Sequence, residues 1–424
     1  MSRGPWRRPR TEPKRSPVCV IRQYYYPLDP RVRREVEALV DGGYSVDVLC
    51  LGQKGEPARE RVGEVDVRRL RLSHQRRSIG RYLFEYSVFF LWAFAMASRL
   101  HVKRRYSVIQ VNTLPDTLVF AATIPRLLGA RIILDMHEVT PELFMSKFGS
   151  SERSIAVRLV ALVERWSAGF ADRVITVSKP TLKVLLDRGI PASKLEIVMN
   201  AADERIFTPP QSDGVPTRKG IARHELTLVS HGVLVERYGF QTILRALPQI
   251  NESHPGTRML IVGEGEYEDE LRELTRELGL ENSVDFLGFR PLEEIARILR
   301  DADIGVTANR RDTFTELIVP TKLMEYVSLG LPAVVARVPA VEEYFDETMV
   351  NFFEPDDAED LASVVCSVAY DLDAAREVAL RASKIFLAEY GWARMKRRYV
   401  GLVDDVAMSS RVARPGGSGT SESS

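Results

Sequence analysis

The segment Phe314-Thr-Glu-Leu-Ile-Val-Pro-Thr-Lys-Leu-Met-Glu-Tyr326 concentrates groups that can hold an anion and a sugar. Pro320 precedes Thr321, which can cap a helix running to Leu329, where Gly330 can end it. Amides left unpaired at Thr321, Lys322 and Leu323 would converge on one point, with the Lys322 charge beside them, as at an anion-binding helix start. Glu325 lies one turn along from Thr321 and Lys322, on the same face. A carboxylate there can accept from a vicinal diol such as a ribose. The same spacing also suits a surface glutamate on an amphipathic helix.

Ile261-Val-Gly-Glu-Gly265 reads as a strand end followed by a helix start. Gly263 and Gly265 would let main chain approach a phosphate. No third glycine completes a dinucleotide fingerprint, and a tight strand-to-helix turn asks for the same residues. Asp135-Met-His-Glu138 follows the strand-like Arg131–Leu134, so His137 sits where a parallel sheet presents side chains to a ligand. It reads either as a hydrogen-bond partner near neutral pH or as a structural histidine. Asp301-Ala-Asp303 has the spacing of a metal–diphosphate motif, but it joins a helix end to an apolar strand, where Asp303 reads as a cap or strand-edge residue. Six histidines and three scattered cysteines give no metal-ligand spacing, so neither metal nor cofactor is expected. No Ser-His-Asp arrangement can be argued from spacing.

A frame must gather these residues. Short β-branched runs alternate with helix-length segments along the chain. In the first half the strand-like runs are Val18–Arg22, Val46–Leu51, Val65–Arg69, Val108–Val111, Arg131–Leu134, Val174–Val177 and Leu195–Val198, with helices such as Arg31–Asp41 and Ser154–Ala171 between them. The second half repeats the plan with Leu226–Ser230, Met259–Val262, Val284–Leu287, Ile304–Thr307 and Ala333–Ala336. Continuous apolar strands imply parallel sheets covered on both faces, and alternation implies right-handed crossovers. The expected class is α/β, with two Rossmann-like, doubly wound domains facing across a cleft. The expected boundaries are a disordered basic arm at 1–16, a first domain at 17–205, a linker at 206–225, a second domain at 226–385, a C-terminal helix returning to the first domain at 386–408, and a disordered tail at 409–424.

A chain of 424 residues with 45% hydrophobic and 28% charged residues is neither disordered nor fibrous. Its net charge of +1 hides an asymmetry: residues 1–200 carry 34 Lys and Arg against 20 Asp and Glu, and the remainder is acidic. The basic residues are dispersed without aromatic interleaving, so nucleic acid is not an expected partner. Cys19 and Cys50 fall in apolar runs and read as small core residues in a reducing, cytoplasmic compartment. No apolar stretch follows the basic arm, so it is not a signal peptide. Tyr82–Ser98 is apolar, interrupted by Glu85, and flanked by Arg76, Arg77, Arg81 and by Lys103, Arg104, Arg105. It reads either as a buried helix or as one that dips into an anionic membrane surface, and it is too short to span one comfortably.

In order and spacing, these segments resemble the retaining glycosyltransferases of family 4, with the two-domain GT-B architecture. Tyr26-Pro-Leu-Asp-Pro-Arg-Val-Arg-Arg-Glu35 is similar to the family's opening loop and helix, and Asp135–Glu142 to its central loop. His231-Gly232 through Arg237-Tyr-Gly239, Ile261–Gly265, Phe286–Phe289 and Pro320–Glu325 complete the set. The resemblance implies transfer of a hexosyl group from a UDP- or GDP-sugar held by the second domain to a saccharide or lipid-linked acceptor at the first. It implies that Arg237 and Lys322 meet the diphosphate with Gly232 and the amides near Leu323. Glu325 would hold the ribose, the Phe289–Arg290 main chain the base, and His137 and Glu316 the transferred sugar. Two positions depart from the family pattern. Glu316 stands one residue from the expected glutamate position, Leu317, and Val233 and Tyr238 replace two expected basic residues, leaving Arg237 to supply charge. A hydrolysing sugar-nucleotide epimerase of similar fold and a non-catalytic scaffold in polysaccharide assembly stand as alternatives. The expected location is the cytoplasm, with a possible peripheral seat on the inner face of the plasma membrane.

Overall fold

The computed structural model describes residues 15–72, 79–209 and 225–412. The arm up to residue 14, Arg76 and Arg77, linker residues 210–224 and the tail beyond residue 412 lie outside the described residues.

The first sheet contains β1 (Val18–Tyr25), β2 (Val46–Leu51), β3 (Arg59–Val62), β4 (Val65–Leu70), β5 (Val108–Asn112), β6 (Arg131–Asp135), β7 (Arg173–Thr176) and β8 (Leu195–Ile197). Their order is β3-β4-β2-β1-β5-β6-β7-β8, parallel except for the β3–β4 hairpin. The helices of this half are α1 (Pro30–Asp41), α2 (Ile79–Arg104), α3 (Thr123–Leu127), α4 (Thr140–Phe148), α5 (Ile155–Phe170) and α6 (Lys179–Asp187).

The second sheet contains β9 (Thr227–His231), β10 (Arg258–Val262), β11 (Val284–Gly288), β12 (Ile304–Thr307), β13 (Ala333–Ala336) and β14 (Asn351–Phe353), in the order β11-β10-β9-β12-β13-β14. Its helices are α7 (Phe240–Ser253), α8 (Glu268–Glu277), α9 (Leu292–Asp301), α10 (Thr321–Leu329), α11 (Pro339–Glu342) and α12 (Ala358–Tyr370), followed by α13 (Leu372–Tyr390) and α14 (Trp392–Val412). In both sheets the chain begins centrally, builds to one side, then crosses and builds to the other. The switch points fall between β1 and β5 and between β9 and β12, and ligands bind outside the carboxyl ends of strands at such points.

Local sequence explains the main elements. Every residue of β2 and of β12 is buried, as strands covered on both faces require. Asp29 starts α1 by accepting from the amides of Arg31 and Val32, with Pro30 at the first helical position. Gly330 ends α10 in the left-handed conformation. α14 returns to the first domain, packing on α1, β5 and β6. There the buried Tyr399 hydroxyl donates to Gln110 Oε1 at 2.6 Å.

Several boundaries move. The 385/386 division falls inside α13, which continues to Tyr390, so the returning helix begins at Trp392. Residues 409–412, expected in the disordered tail, extend α14. Linker residue Phe207 is fully buried and packs in the core cluster shared by α1, α13 and α14. The α2 stretch that attracted a membrane reading turns Phe89, Ala93 and Ala97 into the first-domain core. Among the described residues no helix is long and apolar enough to cross a membrane. Cys19 and Cys50 are buried and unpaired, and burial pushes the Cys50 thiol up to about 12.

Candidate active site

The second-domain wall is built on α10. Every residue from Lys322 to Leu329 is buried, so this helix presents no solvent face. Glu325 is therefore no surface glutamate: it is 6% exposed, and its Oε2 lies 3.0 Å from Nε2 of His231 at the end of β9. The two atoms are close but not aligned as donor and acceptor, and neither has another hydrogen-bond partner among the described residues. Both keep that capacity for a ligand.

Lys322 is 7% exposed, and no carboxylate lies within ion-pair reach of it among the described residues. Its Nζ donates to Ser230 Oγ at 3.4 Å and sits over the rings of Phe240 and Tyr238, 4.6 and 5.6 Å from their centroids. Burial alone pushes this ammonium down to about 7. Arg237, on the short turn Glu236–Tyr238, lies over the same Tyr238 ring at 5.5 Å and over Phe314 at 5.8 Å. Its buried Nε has no partner among the described residues. The fold thus brings two cations without counter-ions to one aromatic ring, which fits a pocket made for a polyanion.

The start of α10 differs from expectation in two details. Pro320, not Thr321, occupies the cap position and makes no side-chain cap. The Leu323 amide donates to Pro320 O at 3.0 Å, so it is not available; those of Thr321 and Lys322 have no acceptor among the described residues. Thr321 Oγ1 instead accepts from Asn200 of the first domain at 3.2 Å. The loop glycines also have a different cause. A Cβ at Gly263 would stand 1.9 Å from Gly232 O, and one at Gly265 would stand 2.1 Å from Leu234 O. The room they leave is filled by this protein's own main chain, as the loops after β9 and β10 lie against each other. Gly232, with φ +130, has nothing within 4 Å of its Cβ position and keeps its open side.

On the first-domain wall, β6 ends at the fully buried Asp135. Arg31 of α1 grips it with Nε to Oδ2 at 3.1 Å and Nη2 to Oδ1 at 2.7 Å, and donates Nη1 to Val198 O at 3.0 Å. Burial would raise the Asp135 carboxyl, but Arg31 and then His137 outweigh it and hold it far below the usual carboxylate range. His137 Nε2 lies 3.2 Å from Asp135 Oδ2 and 3.3 Å from Asn112 Oδ1. Both neighbours accept, so Nε2 carries a hydrogen and Nδ1 is the ring atom left for a ligand. Nδ1 has no partner among the described residues.

A buried chain of hydrogen bonds stands behind this histidine. Gln110 donates to Glu35 Oε2 at 2.7 Å and to Asn112 Oδ1 at 3.2 Å, and accepts from Tyr399 of α14. Burial and then Asp135 push the Glu35 carboxyl well above its usual range. The walls meet at Asn200, which accepts from Arg34 Nη2 of its own domain at 2.6 Å and donates to Thr321 Oγ1 of the other. Burial pushes Arg34 down to about 10, against the attraction of Asp203 and Glu325. Ser146 Oγ donates to Asp312 Oδ2 at 2.8 Å, and Ser178 Oγ to Leu317 O at 3.0 Å, across the same cleft.

The expected residues do not all converge. Glu316 turns to the rim, 3.5 Å from the exposed Arg311. Arg290 lies 3.5 Å from Glu294, and the Phe289 amide is occupied by Glu264 Oε1 at 3.3 Å. Asp303 is structural: it accepts from the Thr227 amide at 3.0 Å and from Arg376 at 2.6 Å. Sequence reading missed the roles of His231, Arg34, Asn200, Arg31 and Asp135. The one local signal was three charged residues, Arg31, Arg34 and Glu35, one turn apart on a helix that buries them.

Two sequence-family profiles match the chain: glycosyl transferase 4-like domain over residues 28–201, and glycosyl transferases group 1 over residues 216–379. An uncharacterized glycosyltransferase of Methanocaldococcus jannaschii is 24% identical over 371 residues, 84% of this chain and 88% of the relative. An amylovoran biosynthesis glycosyltransferase of Erwinia amylovora is 25% identical over 196 residues, and this chain spans 46% of its length. Among solved structures, sucrose-phosphate synthase from Thermosynechococcus elongatus superposes with a TM-score of 0.73 at 19% identity, covering 93% of this chain and 100% of that one. Anabaena HepE in complex with UDP-glucose gives 0.68 at 17% identity, covering 92% of this chain and 100% of that one. At such identities the structural likeness is one of fold, and that fold is GT-B. With both halves matched in order over more than half of the sequence, the chain belongs to the group 1 (family 4) glycosyltransferases and is a glycosyltransferase.

Proposed function

We propose that this glycosyltransferase is a retaining enzyme that moves a hexosyl group from a UDP- or GDP-sugar to a saccharide or lipid-linked acceptor, in cell-surface polysaccharide or glycolipid assembly. Lys322 carries the reading: a buried ammonium with no carboxylate beside it, next to Arg237 and one turn from Glu325. A buried charge without a counter-ion is costly, and a diphosphate removes that cost. The UDP-glucose bound to Anabaena HepE, a protein of the same fold, supports a uridine nucleotide. The amylovoran biosynthesis glycosyltransferase among its relatives supports the pathway class.

Arg237, Lys322 and the free amides of Thr321 and Lys322 stabilise the charge that collects on the leaving diphosphate, and no metal is needed for that. Glu325 and His231 take the ribose hydroxyls, the Arg290 main chain the base, and Gly232 gives the phosphates room. Glu316, at the rim, would reach the sugar only after its loop moves. The bond from the anomeric carbon to the phosphate oxygen breaks, and its electron pair goes to that oxygen. The acceptor oxygen bonds to the same face of the carbon, and its proton passes to the departing phosphate. His137, oriented by Asp135, holds a sugar hydroxyl at Nδ1. Reduced, buried cysteines favour a cytoplasmic seat. Two unneutralised cations in the cleft weigh against a degenerate scaffold.

Proton NMR of the first product formed from an α-linked donor tests the reading. An α-linked product, still formed in EDTA and lost in Glu325→Ala, is expected. A β-linked product overturns retention, and a free epimerised sugar would favour the epimerase.

A further inference from the structure

α5 was expected as a helix, but its outward face has a composition that the fold does not use. Ile155, Leu159, Leu162 and Trp166 are 75%, 56%, 40% and 59% exposed. Their spacing of four, three and four residues puts them on one stripe of the helix. Arg158 and Arg165 are exposed along one edge of that stripe and form no ion pair among the described residues. The helix has one carboxylate, Glu164, which is fully buried and paired with Arg188 at 2.7 Å. The outward face is therefore apolar with a cationic border and no acid.

The surroundings continue the pattern. α2 and α5 both pack on the short segment Asp116–Ala122 between them. The outward side of α2 shows Phe84 at 54% and Leu91 at 65% exposure, followed by the exposed Arg99. Phe148, at the end of α4, is 50% exposed just before α5 begins. β6 and β7 are parallel, so α5 runs from the cleft edge of the sheet, where β6 ends, to the opposite edge, where β7 starts. Ile155 and Phe148 mark the cleft end of the stripe.

We propose that this face, centred on α5 and flanked by α2, seats the enzyme in the headgroup region of an anionic lipid bilayer, with the cleft mouth at the membrane surface. The inference deepens the lipid-linked acceptor reading by naming the surface, and it relocates the contact from the buried side of α2. Trp and large aliphatic side chains favour the interface between headgroups and acyl chains, and arginines beside them meet anionic headgroups. A second copy fits less well. An antiparallel two-fold contact through the same stripe would bring the Arg158 and Arg165 edges together with no exposed acid on the helix to offset them.

Sedimentation of the full chain with vesicles of phosphatidylcholine alone, or mixed with phosphatidylglycerol, tests the proposal. Expected is binding to the mixed vesicles that weakens with added salt. It should fall at least about tenfold in the double variant Leu159→Ser with Trp166→Ser, because apolar insertion drives the partition. Arg158→Gln with Arg165→Gln should flatten the salt dependence. Nucleotide affinity measured on the same variants should not change, which separates this test from that of the donor site. Equal partition to both vesicles, or undiminished binding by the double serine variant, overturns the proposal. So does a concentration-dependent dimer that the serine variant abolishes, since a second copy would then cover the face.

Discussion

Nucleotide binding should take up a proton through Lys322. In the protein alone burial holds this ammonium at about 7. A diphosphate beside it favours the charged form and restores a value above the working range. At pH 8 the free side chain is then about 10% charged and the bound one fully charged, so about 0.9 proton enters per nucleotide bound. The nucleotide contributes little, since its terminal phosphate ionises near pH 6. Apparent affinity should weaken about fiftyfold between pH 7 and pH 9, or about 2.3 kcal/mol. Calorimetry of UDP in HEPES and in Tris, which differ in ionisation enthalpy, counts the protons directly. Lys322→Met should bind far more weakly and show neither proton uptake nor pH dependence. A wild-type affinity flat from pH 7 to 9 in both buffers would mean that Lys322 is already charged before the ligand arrives, and the reasoning from its burial fails.

Three other outcomes follow from the geometry. Tyr399→Phe removes the hydroxyl that supports Gln110 from α14; stability should drop by about 1 kcal/mol, and kcat should fall while donor affinity holds. Equal losses in kcat and donor affinity would show that the chain behind His137 does not position it. Gly263→Ala drives a Cβ into Gly232 O, 1.9 Å away, and should cost a few kcal/mol in chemical denaturation together with the nucleotide site; a variant as stable as wild type would refute the close loop contact. Burial pushes the carboxyls of Asp116 and Glu164 up to about 7. The folded chain then holds more protons than the unfolded one between about pH 4 and pH 7, so their contribution is present in acid and lost as pH rises through 7. Tm should fall between pH 5.5 and pH 7.5, less so in Asp116→Asn, and a rising Tm would contradict the shifts.

Much of this arrangement is readable in the chain because its strands are covered on both faces, which forces unbroken apolar runs such as Val46–Leu51 and Ile304–Thr307. α10 is equally plain, with Pro320 before it and Gly330 after. β3, which reads Arg-Glu-Arg-Val, is an exposed hairpin edge whose partner supplies the pairing, and three-residue β14 is too short to show a pattern. The site divides in the same way. Lys322, Glu325 and Arg237 stand in local patterns, and their types announce an anion and a diol. Their neighbours come from far along the chain: Arg31 reaches Asp135 across 104 residues, and His231 meets Glu325 only because β9 and α10 share one sheet edge. Gly263 and Gly265 were visible but for another cause, since only the folded loops reveal what fills the space beside them. In α2 the apolar residues are conspicuous yet turn inward, whereas the stripe on α5 is diluted by arginines in sequence and becomes evident only when exposure is known.

Titration of the full chain with UDP, GDP and ADP in EDTA, in parallel with Glu325→Ala, asks whether the cleft holds a nucleoside diphosphate through the residues named. One nucleotide should bind without metal, and the variant should lose at least about tenfold in affinity, the value of a charge-assisted hydrogen bond. Binding of none of the three, or equal binding by wild type and variant, would mean that the cleft formed by Lys322, Arg237, His231 and Glu325 is not the donor site.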